Sequence, residues 1–166
     1  MSCKPTIVVD GMLGKLSRWL RMLGVKTIFV GDLADEEIEE VLEKCQGPVL
    51  LTRDRDLCRR ASLRGFNALY VPEAPIEDQL SFVLSRLGIE PVLDMSSALC
   101  PLCGSELVRV SREEVSRDLP RGVVERYQEF YRCTNCGQVY WCGTHFYEIE
   151  KTIEKVRWIM HGKVVC

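Results

Sequence analysis

The chain has no apolar run long enough to cross a membrane. Its longest runs, such as Ile7-Val8-Val9 and Val49-Leu50-Leu51, fall far short of the roughly 18 residues a span needs. The opening residues, Met1-Ser2-Cys3-Lys4-Pro5, carry no apolar signal-peptide region, so the expected location is cytoplasmic. There is no excess of either charge: 22 Lys plus Arg stand against 24 Asp plus Glu, a formal net charge of −2. Neither half is a polybasic tail, so any nucleic-acid binding has to use local patches rather than bulk charge. A Gly-rich phosphate-cradling loop is missing, which weakens nucleoside-triphosphate chemistry. Internal repeats other than a doubled cysteine motif, and low-complexity segments, are missing as well. With 46% hydrophobic and 28% charged residues, there is enough apolar material to exclude disorder of the whole chain. The 166 residues suit one average domain or two small ones.

Cysteine, by contrast, is plentiful. Nine are present: Cys3, Cys45, Cys58, Cys100, Cys103, Cys133, Cys136, Cys142 and Cys166. The odd count and the lack of a secretion signal argue against a disulfide framework. Cys100-Pro-Leu-Cys103-Gly and Cys133-Thr-Asn-Cys136-Gly are two copies of one motif. A tight turn across two residues aims both sulfurs at one point, and the following Gly permits the positive φ that closes the turn. Two such turns supply four thiolates, the closed tetrahedral shell of structural zinc. The pairs are separated by 29 residues, more than the usual spacing of about 15–20. The excess is assigned to a helical stretch from about Ser111 to Tyr131. A redox reading of one pair would place it beside the first strand and helix of a βαβ unit, which is not where the pairs fall. Cys142 and His145 follow the second pair closely, but a satisfied four-thiolate shell leaves them no place.

Residues 1–90 have an α/β grammar. Thr6–Val9, Thr27–Val30, Pro48–Leu51 and Ala68–Val71 are short apolar runs ended by turn residues. Between them lie helical patterns: Leu13, Leu16, Trp19, Leu20 and Leu23; Asp35–Cys45; Asp54–Leu63; and Ile76–Leu87 before Gly88. Nearly continuous apolar strands require a parallel sheet covered on both faces. Right-handed crossovers then produce a three-layer α/β sandwich. Residues 89–99 read as a linker. Residues 98–166 read as a zinc ribbon with a helical insertion and a final helix, whose stripe of Phe146, Ile149, Ile153, Val156 and Met160 should bury against the ribbon or the α/β part.

In an open parallel sheet the functional crevice lies beyond the C-terminal strand ends, and here those ends carry acids. Asp10 follows the first strand. Asp32 follows the second, with Asp35, Glu36 and Glu37 opening the next helix. Asp54 and Asp56 follow the third, in Thr52-Arg53-Asp54-Arg55-Asp56. Each has a plainer role available: helix-dipole complementation for Asp35, Glu36 and Glu37, an N-cap for Asp54, a turn bond to Gly11 for Asp10. Acids at successive strand ends favour a shared site for Asp10, Asp54 and Asp56, while Asp32 and Asp35 remain alternatives. Clustered carboxylates repel one another unless a cation is present. Oxygen ligands suit Mg²⁺ or Mn²⁺, which promote phosphodiester hydrolysis. Lys15 and Arg18 on the first helix, and Arg53 and Arg55 flanking Asp54, are candidates for holding a phosphate backbone.

The segments Val9-Asp10-Gly11-Met12-Leu13-Gly14-Lys15-Leu16-Ser17-Arg18-Trp19-Leu20-Arg21-Met22-Leu23-Gly24 and Leu51-Thr52-Arg53-Asp54-Arg55-Asp56-Leu57, with the cysteine pairs and Val139-Tyr140-Trp141, resemble the "Mut-seven C-terminal" RNase family. The resemblance spans roughly residues 6–147. It implies a PIN-like domain fused to a zinc ribbon, and metal-dependent ribonuclease activity with Asp10, Asp54 and Asp56 in the acidic cluster. A further acid comes from Asp32, Asp35, Glu36 or Glu37. RNA is the expected partner. The alternative is a non-catalytic PIN-like adaptor that docks on RNA, a ribosome or a protein through the ribbon.

Overall fold

The computed structural model describes residues 5–162; residues 1–4 and 163–166, with Cys3 and Cys166, lie outside them. Four parallel strands form the main sheet: β1 (Ile7–Asp10), β2 (Thr27–Gly31), β3 (Val49–Thr52) and β4 (Asn67–Tyr70), in the order β2-β1-β3-β4. The helices that alternate with them are α1 (Gly14–Met22), α2 (Asp35–Lys44), α3 (Arg55–Leu63) and α4 (Ile76–Leu87). This is the expected three-layer α/β arrangement. The chain steps from β1 outward to β2, then reverses across β1 to reach β3. Right-handed crossovers therefore put α1 on one face and α2 and α3 on the other.

The alternation of side chains along each strand divides the core accordingly. Ile7, Val9 and Leu51 pack with Leu13, Leu16, Leu20, Leu80 and Leu84 on the α1/α4 face. Val8 and Leu50 pack with Ile38, Leu42, Leu57 and Ala61 on the α2/α3 face. Both central strands are covered on both sides, which is why they read as unbroken apolar runs. Trp19 lies partly buried against the first of these clusters.

The remaining chain forms a small antiparallel sheet of β5 (Leu107–Val110), β6 (Phe130–Cys133) and β7 (Val139–Trp141), in that order. The helical stretch expected over 111–131 is broken. Only α5 (Arg112–Val115) and α6 (Arg121–Arg126) are helical, and Phe130 and Tyr131 belong to β6. Pro120 has no N–H to continue the first helix and serves instead as the N-cap of the second. Beyond Tyr127, strand pairing and burial of Phe130 against Val115 and Val139 override local helix propensity.

The last helix, α7 (Thr144–His161), leaves this sheet and packs on the α/β layer. Ile153 and Val156 are fully buried in the α1/α4 cluster, with Ile149 and Met160 at its margin. Lys155 Nζ reaches Glu77 on α4 at 3.1 Å. The Ser81 hydroxyl contacts the Val156 carbonyl at 3.4 Å. No helix among the described residues is long and apolar enough to cross a membrane.

Candidate functional site

The sheet order creates a switch point. The chain leaves β1 toward β2 on one side and leaves β3 toward β4 on the other, and a sheet of this order places its ligand crevice between the C-terminal ends of β1 and β3. Asp10 ends β1 and Thr52 ends β3. The Thr52 hydroxyl, fully buried, donates to Asp10 Oδ2 at 2.7 Å and accepts from the Asp54 backbone N–H at 2.9 Å. Asp10 and Asp54 are thereby tied together through one side chain. Asp10 Oδ1 accepts from Gly11 N at 2.6 Å. Asp54 caps α3, its Oδ1 accepting from Asp56 N at 2.8 Å and Leu57 N at 3.0 Å. The plain roles foreseen for these acids are therefore present. Each uses one oxygen in its local turn, and Oδ2 of Asp54 takes part in none of these cap bonds.

Glycine at position 11 is required by a close approach. A Cβ there would stand 2.3 Å from the Gly31 carbonyl oxygen and 3.8 Å from Asp32 Oδ1. The end of β2 thus lies against the Asp10 turn and brings Asp32 to it. Asp35 is turned away from the crevice, into an ion pair with Arg60 on α3. Glu39 and Glu43 continue that row by pairing with Arg64. Glu37 reaches back to accept the Ala34 N–H at 2.8 Å at the start of α2. The side chain of Asp56 is exposed at the first turn of α3.

Among the basic candidates, Lys15 is exposed at the crevice end of α1, within electrostatic range of Glu77. Arg18 lies one turn further along, toward Arg21. The Arg55 guanidinium stacks 4.6 Å above the Tyr70 ring at the end of β4. Arg53 is half-buried, and its Nε has no hydrogen-bond partner. Arg53 directly follows β3, and a buried guanidinium N–H without a partner among the described residues is an unused donor.

A second centre lies in the antiparallel sheet. Cys100, Cys103, Cys133 and Cys136 place their sulfurs within 4.8 Å of one another. Cys103 Sγ is 3.3 Å from Cys133 Sγ, and Cys100 Sγ is 3.6 Å from Cys136 Sγ. A tetrahedral zinc with Zn–S bonds of about 2.3 Å would hold its sulfurs about 3.8 Å apart, so the donor set fits the ion. The electrostatics fit as well. The Ser105 backbone N–H, then its hydroxyl, lower the Cys103 thiol to about 5. The Gln138 N–H acts in the same direction on Cys136. There, burial and the facing thiols of Cys133, Cys100 and Cys103 outweigh it and push the thiol up to about 12. Four thiolates resist ionising together without a cation, and a divalent metal removes that conflict. Tyr140 donates toward Cys100 Sγ at 3.2 Å; burial first, then that sulfur, raise its phenol. Cys142 and His145 stay outside the group, His145 in the first turn of α7.

Among the described residues the four cysteines are the one set of three or more potential ligands whose donor atoms converge this closely. The carboxylates do not. Mg²⁺ commonly takes one or two carboxylates and keeps several waters, so convergence of three acids is not a requirement for it. The donor chemistry of Asp10, Asp54 and Asp32 fits such an ion.

Two residues with a clear place in these centres escaped the sequence reading. Thr52 is a polar residue ending an otherwise apolar strand, Val49-Leu50-Leu51. Arg21, only 6% exposed, bonds the Pro101 and Leu102 carbonyls between Cys100 and Cys103 at 3.2 Å each. Its signal is positional: it stands four residues after the buried Ser17, on the flank of the apolar stripe of α1. A cleft of about 470 Å³, lined by Met22, Leu99, Tyr127, Trp141 and Phe146 among others, opens where the linker, β7 and α7 meet. None of the acids lines it.

Comparison with known proteins finds a match to the family model of the Mut7-C RNAse domain over residues 5–153. No curated protein and no solved structure matches the chain.

Proposed function

Because the chain belongs to the Mut7-C RNAse domain family, we propose that it hydrolyses RNA phosphodiester bonds at the crevice between β1 and β3, using a divalent cation, with the cysteine centre holding structural zinc. The observation that carries this reading is the bridge from Asp10 through Thr52 to Asp54. It fixes the Asp10 carboxylate and the Asp54 backbone at a switch point, where an open α/β sheet binds its ligand. Asp10 and Asp54 would hold Mg²⁺ or Mn²⁺, with Asp32 beside them and Asp56 on the rim. Such a cation supplies positive charge to the reacting phosphodiester and its attacking water. Thr52 orients Asp10. Lys15, Arg53 and Arg55 would receive the RNA backbone, with Arg18 further out. Asp35 is left to the ion pair between α2 and α3. Four converging sulfurs favour zinc over magnesium at the second centre, since soft ligands suit it. Zinc there supports the antiparallel sheet rather than the reaction.

The test is cleavage of a mixed RNA pool and of matched DNA by wild type, Asp10→Asn and Asp54→Asn, with and without Mn²⁺. Wild type should cut RNA only with the metal, and both variants should lose activity by orders of magnitude. Asp54→Asn should melt close to wild type, because Asn accepts the same turn bonds and is a good N-cap; Asp10→Asn keeps the Gly11 bond but cannot accept the Thr52 hydroxyl at its second position, so it should melt somewhat lower while staying folded. A second reading, an adaptor that binds RNA or a ribosome without turnover, draws on the lack of convergence among the acids. Binding of RNA without cleavage under any divalent metal would favour it.

A further inference from the structure

The last turn of α1 is joined to the first cysteine loop by a buried cation. Arg21 is 6% exposed. Its Nε donates to the Thr27 carbonyl at 3.2 Å, at the start of β2. Its Nη1 donates to the Pro101 and Leu102 carbonyls, which belong to the two residues separating Cys100 from Cys103. In return, the Arg21 carbonyl accepts the Leu99 N–H at 2.9 Å. Gly104 closes the loop directly against the guanidinium: a Cβ there would stand 3.0 Å from Arg21 Nε, and its φ of +81° favours glycine independently.

A buried guanidinium normally has a carboxylate partner, and Arg21 has none among its bonds. Its Nη1 bonds instead hold it against the turn that carries Cys100 and Cys103. Zinc with four thiolates carries a net charge of −2, and a buried positive group beside it offsets part of that excess. Without that anionic centre the same guanidinium is left with no counter-charge beside it, an expensive state for a buried ion.

We propose that Arg21 is the counter-charge and the latch of the cysteine centre, so that zinc binding and the docking of α1 are coupled through it. Coupling between two equilibria is reciprocal. Whatever Arg21 adds to zinc affinity, zinc returns to the stability of the last turn of α1. The inference rests on the zinc reading of the cysteines and is independent of the nuclease reading.

The experiment compares full-length wild type, Arg21→Met and Arg21→Lys. Zinc affinity is read by competition with a chromogenic chelator, and hydrogen exchange is followed over residues 14–23 with and without zinc. Arg21→Met should bind zinc about 10- to 100-fold more weakly, the usual effect of losing an outer-shell partner. Chelation should raise exchange across α1 in wild type. In Arg21→Met, exchange there should already be raised with zinc present and change little on chelation. Arg21→Lys keeps the charge but not the fork, so it should fall between the two. It decides the matter if Arg21→Met does not fold. Zinc affinity of the folded variants equal to wild type, or α1 exchange that ignores zinc in wild type, would overturn the proposal. Wild type that binds no zinc would refute the metal reading and this coupling with it, whereas zinc-replete wild type with unaffected variants refutes the coupling alone.

Discussion

Replacing Thr52 by Val tests whether the bridge between Asp10 and Asp54 organises the acidic crevice. Val has nearly the same shape, so the buried end of β3 keeps its packing and loses only a hydroxyl. That hydroxyl makes two hydrogen bonds, one to a carboxylate at 2.7 Å and one from a backbone N–H at 2.9 Å. A hydrogen bond to a charged group contributes about 1.5–3 kcal/mol. Water can replace part of this, because Asp10 is only half-buried and Asp54 is exposed. The new methyl group returns up to about 0.8 kcal/mol. The net loss is then about 1–2 kcal/mol, a drop of roughly 2–8 °C in melting temperature for a chain of this size. The effect on turnover should be larger. Misplacement of a reacting group by about 1 Å can lower a rate by roughly 100-fold, and Asp10 loses the contact that sets its rotamer. The assay is Mn²⁺-dependent RNA cleavage alongside thermal melting in zinc-saturated protein, with Thr52→Ser as the control. Ser retains the hydroxyl and gives up a methyl, so it should keep most of its activity while losing about 1 kcal/mol of stability. Wild-type cleavage by Thr52→Val, or equal loss in Thr52→Ser, would refute the argument.

Elemental analysis of purified protein should find about one zinc per chain, and Cys100→Ser combined with Cys133→Ser should abolish it; full zinc in that variant would reject the assignment. Gly11→Ala should destabilise the protein by about 2–3 kcal/mol, because the added Cβ meets the Gly31 carbonyl rather than a flexible side chain; chemical denaturation measures this. Glu77→Gln should show a pH signature. Its own backbone N–H at the start of α4 and then Lys155 hold the Glu77 carboxyl below its ordinary value. A lowered carboxyl contributes stability above its unfolded pKa and loses it as pH falls through the folded one. Wild type should therefore exceed Glu77→Gln by about 0.5 kcal/mol near neutrality, with the gap closing in acid; denaturant titrations at pH 7 and pH 3 would show an unchanged gap if the ion pair is irrelevant.

Sequence patterns determine whatever depends on near neighbours along the chain. Side-chain alternation in a strand and the three-to-four spacing of a helix are local periods, so the β and α elements up to Leu87 were readable, including the stop at Gly88, which takes the left-handed conformation. The cysteine pairs were readable for the same reason, since a two-residue turn brings its own sulfurs together. Over residues 111–131 the local signal misled. A helical pattern there competes with strand pairing to Leu107–Val110, and pairing partners are chosen by the whole fold. The acidic crevice shows the same division. The acid that ends β1, and those after Gly31 and Thr52, are visible as strand-end residues. Their relative places follow from the order β2-β1-β3-β4, which sets Thr52 beside Asp10 across 42 residues of chain. Asp32 and Asp35 are equivalent candidates in sequence; they part only because the turn of β2 carries one to Gly11 while α2 meets Arg60 on α3 with the other. Arg21 reads as an ordinary helix cation until the cysteine loop closes over it. Contacts of this kind depend on which elements are neighbours in space, and that is set by the summed burial of apolar faces across the sheet rather than by any residue's own surroundings in the chain.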